Sequence, residues 1–157
     1  MVALSAMAAS TAVSVLSLFN VFGRIAAGFL SDKIGRVNTL ALSCLLAVVG
    51  LLCLYSSTPE AVALYYVGSS IVGLCFGAFM GVYPGFTADQ FGPKNNSVNY
   101  GIMFIGFAIA GYFGPSIMGS VLRADGTYHR AFLIACGLSI AGVVMTFVYR
   151  LVSKISR

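Results

Sequence analysis

Long apolar runs separated by short polar segments make up most of the 157-residue chain. Each run is close to or above the ~20 residues that an α-helix needs to cross a ~30 Å hydrocarbon core. The pattern therefore predicts an all-α, polytopic membrane bundle that forms a single unit. Its five predicted transmembrane helices lie at residues 2–30, 37–55, 61–87, 97–122 and 131–149.

The composition changes this picture from a buried core to a membrane. Hydrophobic residues account for 59% of the chain and charged residues for 8%, whereas an ordinary soluble domain carries about 25% charged residues. So few charges cannot cover a water-facing surface. A lipid bilayer is therefore the expected surrounding of the chain.

The positive charges predict an orientation, because cytoplasmic loops carry an excess of Lys and Arg. Only Arg123 and Arg130 fall on one side of the predicted bundle. Six positive residues fall on the other side: Lys33, Arg36, Lys94, Arg150, Lys154 and Arg157. We expect the C-terminus in the cytoplasm, the N-terminus outside, and a plasma or inner membrane as the location.

Several functional classes find no support in the residue pattern. The basic residues form no patch interleaved with aromatic residues, so a nucleic-acid partner is not expected. The four cysteines stand singly in apolar runs, which argues against a metal centre. The apolar runs hold no paired carboxylates and no Ser/His set. We therefore expect no enzyme, no metal and no cofactor.

Arg24 stands inside the first apolar run, eight residues before the charged turn at Asp32. At 1.5 Å per residue it lies ~12 Å deep in the membrane, where an arginine costs at least ~2.5 kcal/mol. Asn20 is one turn earlier on the same helical face and can orient the guanidinium. Such a cation matches a carboxylate in shape and charge. The residues alone leave two interpretations open: an anion site, or an arginine that extends toward the cytoplasmic membrane surface or pairs with an acid absent from this chain.

Glycines recur every fourth residue in the third run, at Gly73, Gly77, Gly81 and Gly85. This spacing leaves one helical face without side chains and lets another helix backbone approach closely. Static tight packing is the expected role, with a moving helix interface as the alternative.

A charged turn joins the first two runs, with the pattern Gly28-x-x-x-Asp32-Lys33-x-Gly35-Arg36. This turn resembles the signature loop of the major facilitator superfamily. The stretch 83–101 is similar to the tenth-to-eleventh helix region of its oxalate/formate antiporter-like members, and 111–115 continues the likeness. Residues 20–24 look like the eighth helix of that family, and Arg24 resembles the substrate arginine of the related monocarboxylate transporters.

The resemblance implies that the chain corresponds to helices 8–12 of a secondary transporter working by alternating access. A small organic anion of the monocarboxylate or dicarboxylate type would bind Arg24 and Asn20. The loop of Gly28, Asp32, Lys33, Gly35 and Arg36 would stabilise one gating state. The N-terminal transporter half, which these five helices do not include, is an expected partner. In the families that the chain resembles, a lysine of the eleventh helix is a second substrate cation and an Asp stands one turn before the arginine. This chain has no lysine in residues 97–122 and has Asn20 in place of the Asp, so the resemblance argues against oxalate and against proton coupling at that position.

Three further candidates for lining the transport path are Tyr83, Asn99 and Tyr100. Interfacial hydrogen bonding is the alternative for all three and is the more common role for a residue such as Tyr100. A second interpretation of the whole chain also stays open. Five helices are fewer than one six-helix half, so the chain can also be a truncated, non-transporting protein or an adaptor that uses the fold as an interaction surface.

Overall fold

The computed structural model describes residues 6–58 and 60–155, which form five helices and no strand. In chain order these are α1 (Ala6–Ile34), α2 (Arg36–Tyr55), α3 (Val62–Phe91), α4 (Asn96–Asp125) and α5 (His129–Ile155). All five are long and apolar enough to cross a membrane. The predicted all-α bundle of membrane-spanning helices is therefore confirmed.

Most of the helices extend beyond the apolar runs from which they were predicted. α1 ends at Ile34 rather than at residue 30, and α3 ends at Phe91 rather than at 87. α4 and α5 end at Asp125 and Ile155 rather than at 122 and 149. Polar residues at the end of a span still make helical hydrogen bonds, so the backbone stays helical after hydropathy falls. Residues 2–5 of the first predicted helix lie outside the described part of the chain.

The most extensive contact in the bundle joins α1 and α3. Gly73, Gly77 and Gly81 present the bare face of α3 to the backbone of α1. A β-carbon at Gly73 would lie 2.8 Å from the carbonyl oxygen of Leu16, and one at Gly81 would lie 2.7 Å from that of Arg24. The glycine ridge is thus a tightly packed helix interface, as small residues allow between helices in lipid.

The buried core lies where α1, α2 and α3 meet. α2 contacts both α3 and α5, and four buried residues form the centre of the core: Ala27, Leu40, Ala78 and Val82. α4 differs from the other helices because it contacts only α3 and α5 and has no buried residue among those described. Its glycines face open space. One side of the bundle is therefore closely packed and the other is open.

Candidate functional site

Arg24 and Asn20 lie together on α1, within the apolar span Ser10–Ile34. The Arg24 Nε donates a hydrogen bond to the Asn20 Oδ1 at 3.1 Å. Asn20 is half-buried and Arg24 is exposed on the surface of the bundle. Since the two residues are one helical turn apart, the amide holds the guanidinium on one face of α1.

The glycine ridge of α3 holds the backbone that carries this pair. A β-carbon at Gly77 would collide with the carbonyl oxygen of Asn20, and Gly81 lies directly against the backbone of Arg24. Gly23 makes the reciprocal contact with the backbone of α3. Close packing at three successive turns leaves this part of α1 little freedom to shift. The ridge therefore fixes where the arginine emerges from the bundle.

No acidic side chain compensates Arg24 within the part of the chain that the structure describes. The ion pairs found there involve other cations: Arg36 with Asp32, Arg36 with Asp89, and Arg130 with Asp125. The guanidinium of Arg24 thus keeps most of its donors for another group. A planar guanidinium binds a carboxylate by donating two parallel hydrogen bonds to its oxygens.

The charged turn between α1 and α2 is short and rigid. Gly35 closes α1 by donating its N–H to the carbonyl oxygen of Ser31 at 3.0 Å. Its φ of 88° and ψ of 150° lie in a region that is essentially limited to glycine. α2 then begins at once with Arg36. This geometry turns the chain by a single residue and places the Arg36 side chain over the ends of α1 and α3.

Arg36 connects this turn to the end of α3. Its Nε donates to the Asp89 Oδ2 at 2.5 Å, and its Nη1 donates to the Ser31 hydroxyl at 3.4 Å. The guanidinium lies against Gly85, where any β-carbon would overlap it. The Arg36 side chain is only 27% exposed. Through these contacts, Arg36 connects the start of α2 to the ends of α1 and α3 on one side of the bundle.

The remaining residues of the turn project outward. The Asp32 side chain is 72% exposed, and its Oδ1 lies 3.9 Å from the Arg36 Nη2. The Lys33 Nζ lies 4.4 Å from the centre of the Phe29 ring. A β-carbon at Gly28 would meet nothing within 4 Å. No described residue therefore packs closely against Gly28.

Tyr83 and Tyr100 line a separate apolar cavity of about 560 Å³ between α3, α4 and α5. Phe79 stacks on Tyr83 at 6.0 Å, and Phe104 contacts Tyr100 at 5.1 Å between ring centres. Arg24 and Asn20 do not line this cavity, and neither does Asn99. The structure thus joins the two tyrosines but does not bring them to the arginine.

Asp89 is the residue that the sequence reasoning missed. It stands 53 positions after Arg36, so no local motif links the two. A signal was nevertheless present. Asp89 ends the third apolar run on the same side of the membrane as the charged turn, and an acid there is within reach of cations at the neighbouring helix ends.

The fold and these charges together define a class of protein. It is a polytopic membrane protein with a cation inside its first span and a charged turn between its first two helices. The model of one family, the Major Facilitator Superfamily, matches residues 2–157. This chain belongs to that superfamily. Its members are membrane transporters, and the chain is an integral, multi-pass membrane protein.

Several transporters are similar to this chain. The uncharacterized MFS-type transporter YhjX of Escherichia coli (strain K12) is 33% identical over 68% of this chain and 26% of its own length. The oxalate:formate antiporter of Oxalobacter formigenes is 30% identical over 87% of this chain and 32% of its own length. Monocarboxylate transporter 12 of Xenopus laevis is 28% identical over 78% of this chain and 27% of its own length. The chain thus spans about a third of these relatives.

Proposed function

We propose that this chain forms part of a secondary transporter that moves a small organic anion by alternating access. The observation that carries the proposal is the position of Arg24 within an apolar span. Asn20 orients its guanidinium, and no described acid neutralises its charge. A cation within the hydrocarbon core of a membrane needs a partner or a water-filled cavity. A substrate carboxylate is a partner of the right charge and shape.

The similar proteins favour the same substrate class. By their names, one exchanges oxalate for formate and another carries monocarboxylates. Both kinds of substrate have a carboxylate. The absence of a lysine from residues 97–122 leaves one cation for the substrate, so we propose a monocarboxylate such as formate or lactate before oxalate.

Alternating access requires a second bundle that rocks against this one around a midplane site. The glycines of α4 and the Arg24 face of α1 are open in the described structure. We assign these faces to the remaining helices of the transporter. We also assign the exposed Asp32 of the charged turn to this partner half, where it would bind in one gating state and be released in the other.

Uptake of labelled anions into proteoliposomes tests the proposal. The protein is expressed from its complete reading frame, and formate, lactate and oxalate are offered separately. We expect uptake of a monocarboxylate, and we expect Arg24→Ala to lower its rate by about 10- to 100-fold, because a charge-assisted hydrogen bond contributes about 1.5–3 kcal/mol. Asn20→Ala removes a supporting bond only and lowers uptake by about 3- to 10-fold.

Arg123→Ala is the matched control, since Arg123 is exposed at the end of α4, and it leaves the rate unchanged. Monocarboxylate uptake that survives Arg24→Ala would contradict the anion site. A correctly inserted wild-type protein that carries none of the three anions would instead favour the non-transporting adaptor.

A further inference from the structure

A second polar site lies at the end of the bundle that carries the charged turn, and neither Arg24 nor Asn20 lines it. It is an open cleft of about 920 Å³ between the start of α2, the end of α3 and the last turns of α5. Its lining combines donors with apolar side chains, among them Asn38, Gln90, Phe147, Arg150, Leu151 and Ser153. Gly35 and Arg36 of the charged turn also line this cleft, whereas Arg24 and Asn20 of the proposed anion site do not.

The polar groups of the cleft are suited to an anion. Arg150 is exposed, and none of the ion pairs in residues 6–58 and 60–155 includes it. The Gln90 Oε1 accepts a hydrogen bond from the Tyr149 hydroxyl at 2.5 Å, which leaves the Gln90 amide N–H groups to donate. No carboxylate lines the cleft. The nearest acid in sequence, Asp89, is held by Arg36.

The start of α2 adds to this donor set. No side chain caps its N-terminus, so the first-turn N–H groups need an acceptor from elsewhere. The positive end of the helix dipole points in the same direction as these groups. An anion in the cleft would meet the backbone donors of α2 from one side and Arg150 from the other.

The apolar part of the lining indicates which anion. Phe147 and Leu151 lie beside Arg150 and are 55% and 64% exposed, respectively. They continue an apolar α5 surface that faces outward along the span, with Val144, Met145 and Val148. Acyl chains of the surrounding bilayer lie against these side chains, so a phosphate attached to such chains can reach Arg150. A phosphate group at the membrane surface, attached to acyl chains, fits both halves of the cleft.

We propose that the cleft between the α2 N-terminus and the end of α5 binds the phosphate of an anionic phospholipid. Arg150 pairs with the phosphate, the Gln90 amide and the first N–H groups of α2 donate to its oxygens, and the acyl chains lie along Phe147 and Leu151. The bound lipid joins α2 to α5 at the same end of the bundle where Arg36 joins α2 to α3.

Native mass spectrometry of the full protein tests this site. The protein, expressed from its complete reading frame, is released from nanodiscs of phosphatidylglycerol and phosphatidylcholine in equal amounts. We expect wild type to retain phosphatidylglycerol preferentially, and Arg150→Gln to lower that retention by about fivefold, since one surface cation contributes about this factor. Arg150→Lys should recover most of the retention. Arg123→Gln is the matched control at the opposite end of the bundle and should bind lipid as wild type does.

Equal retention of phosphatidylglycerol by wild type and Arg150→Gln would overturn the proposal. A second experiment distinguishes a lipid from a free anion. Phosphatidylglycerol or inorganic phosphate is added to the protein in neutral detergent, and the melting temperature of the protein is measured. An Arg150-dependent stabilisation by phosphatidylglycerol but not by millimolar phosphate supports the lipid. Equal stabilisation by both would assign the cleft to a soluble anion instead.

Discussion

At the scale of single residues, two arginines of this chain have opposite environments. Arg36 is held by Asp89 at 2.5 Å and by Ser31, whereas Arg24 has only the amide of Asn20 among the residues that the structure describes. A satisfied cation contributes to structure, and an unsatisfied one in an apolar span is available to a ligand. The two residues are of the same type, and their roles differ because an acid lies within reach of Arg36 and no described acid lies within reach of Arg24.

The pair of Arg36 and Asp89 should stabilise the bundle measurably. The pair is partly shielded, at 27% and 54% side-chain exposure, so we expect a coupling of about 1 kcal/mol, at the upper end for exposed pairs. A double-mutant cycle with Arg36→Gln and Asp89→Asn, followed by unfolding in mixed micelles, measures that energy.

The pair of Arg130 and Asp125 serves as the control for this cycle. The Arg130 and Asp125 side chains are 74% and 25% exposed, and their closest N–O distance is 3.1 Å against 2.5 Å in the first pair, so the coupling should be smaller, below about 0.5 kcal/mol. Equal coupling in the two pairs would mean that the turn between α1 and α2 is not fastened to α3 through Arg36.

At the scale of helices, the glycine ridge of α3 decides how close α1 can approach. The period of four residues was readable in the sequence, and so was the expectation of tight packing. Which helix packs there was not readable, because glycine spacing marks a face without naming the partner. The tertiary structure assigns the ridge to α1 and so connects it to Arg24 and Asn20.

Substitution of one ridge glycine should loosen this contact. Gly77→Ala puts a methyl group on the carbonyl oxygen of Asn20, and we expect a loss of about 1–3 kcal/mol in the free energy of unfolding, as for other overpacked interfaces. The measurement is a denaturant titration in micelles, with anion uptake as a second readout because α1 carries the candidate site.

Gly137→Ala is the matched control on α5. A β-carbon there meets nothing within 4 Å, so the substitution should be neutral or stabilising by up to ~1 kcal/mol, since alanine is the better helix former. If Gly77→Ala were as well tolerated as Gly137→Ala, the α1–α3 contact would be looser than the structure shows.

At the scale of the whole molecule, the bundle is packed on one side and open on the other. α1, α2 and α3 share the core, while α4 touches only α3 and α5 within the described residues. The openness of α4 agrees with a chain that spans about a third of its relatives. The charges predict the orientation of the bundle, because six Lys and Arg fall on one side and two on the other.

Cysteine labelling checks the orientation. In a background without the four native cysteines, a membrane-impermeant maleimide should label Thr127→Cys in intact cells. Asn95→Cys, in the loop on the opposite side, should react only after the cells are permeabilised. Both positions lie between helices, so folding is little affected. The reverse pattern would place the C-terminus outside.

The sequence by itself determined the class of this protein, the existence and approximate position of its five helices, and the isolation of Arg24. These three properties follow from hydropathy and charge, because the length of each apolar run and the position of each charge can be read directly along the sequence. The extent of each helix beyond its apolar run was less readable, because hydropathy falls before the helical hydrogen bonds end.

Only the tertiary structure decided which elements meet. It placed Asp89 on Arg36 across 53 residues, set the α3 ridge against the backbone of Arg24, and separated Tyr83 and Tyr100 from that arginine. Each of these depends on how two helices are rotated and shifted against each other. Packing between distant segments sets that geometry, and no local pattern of residues specifies it.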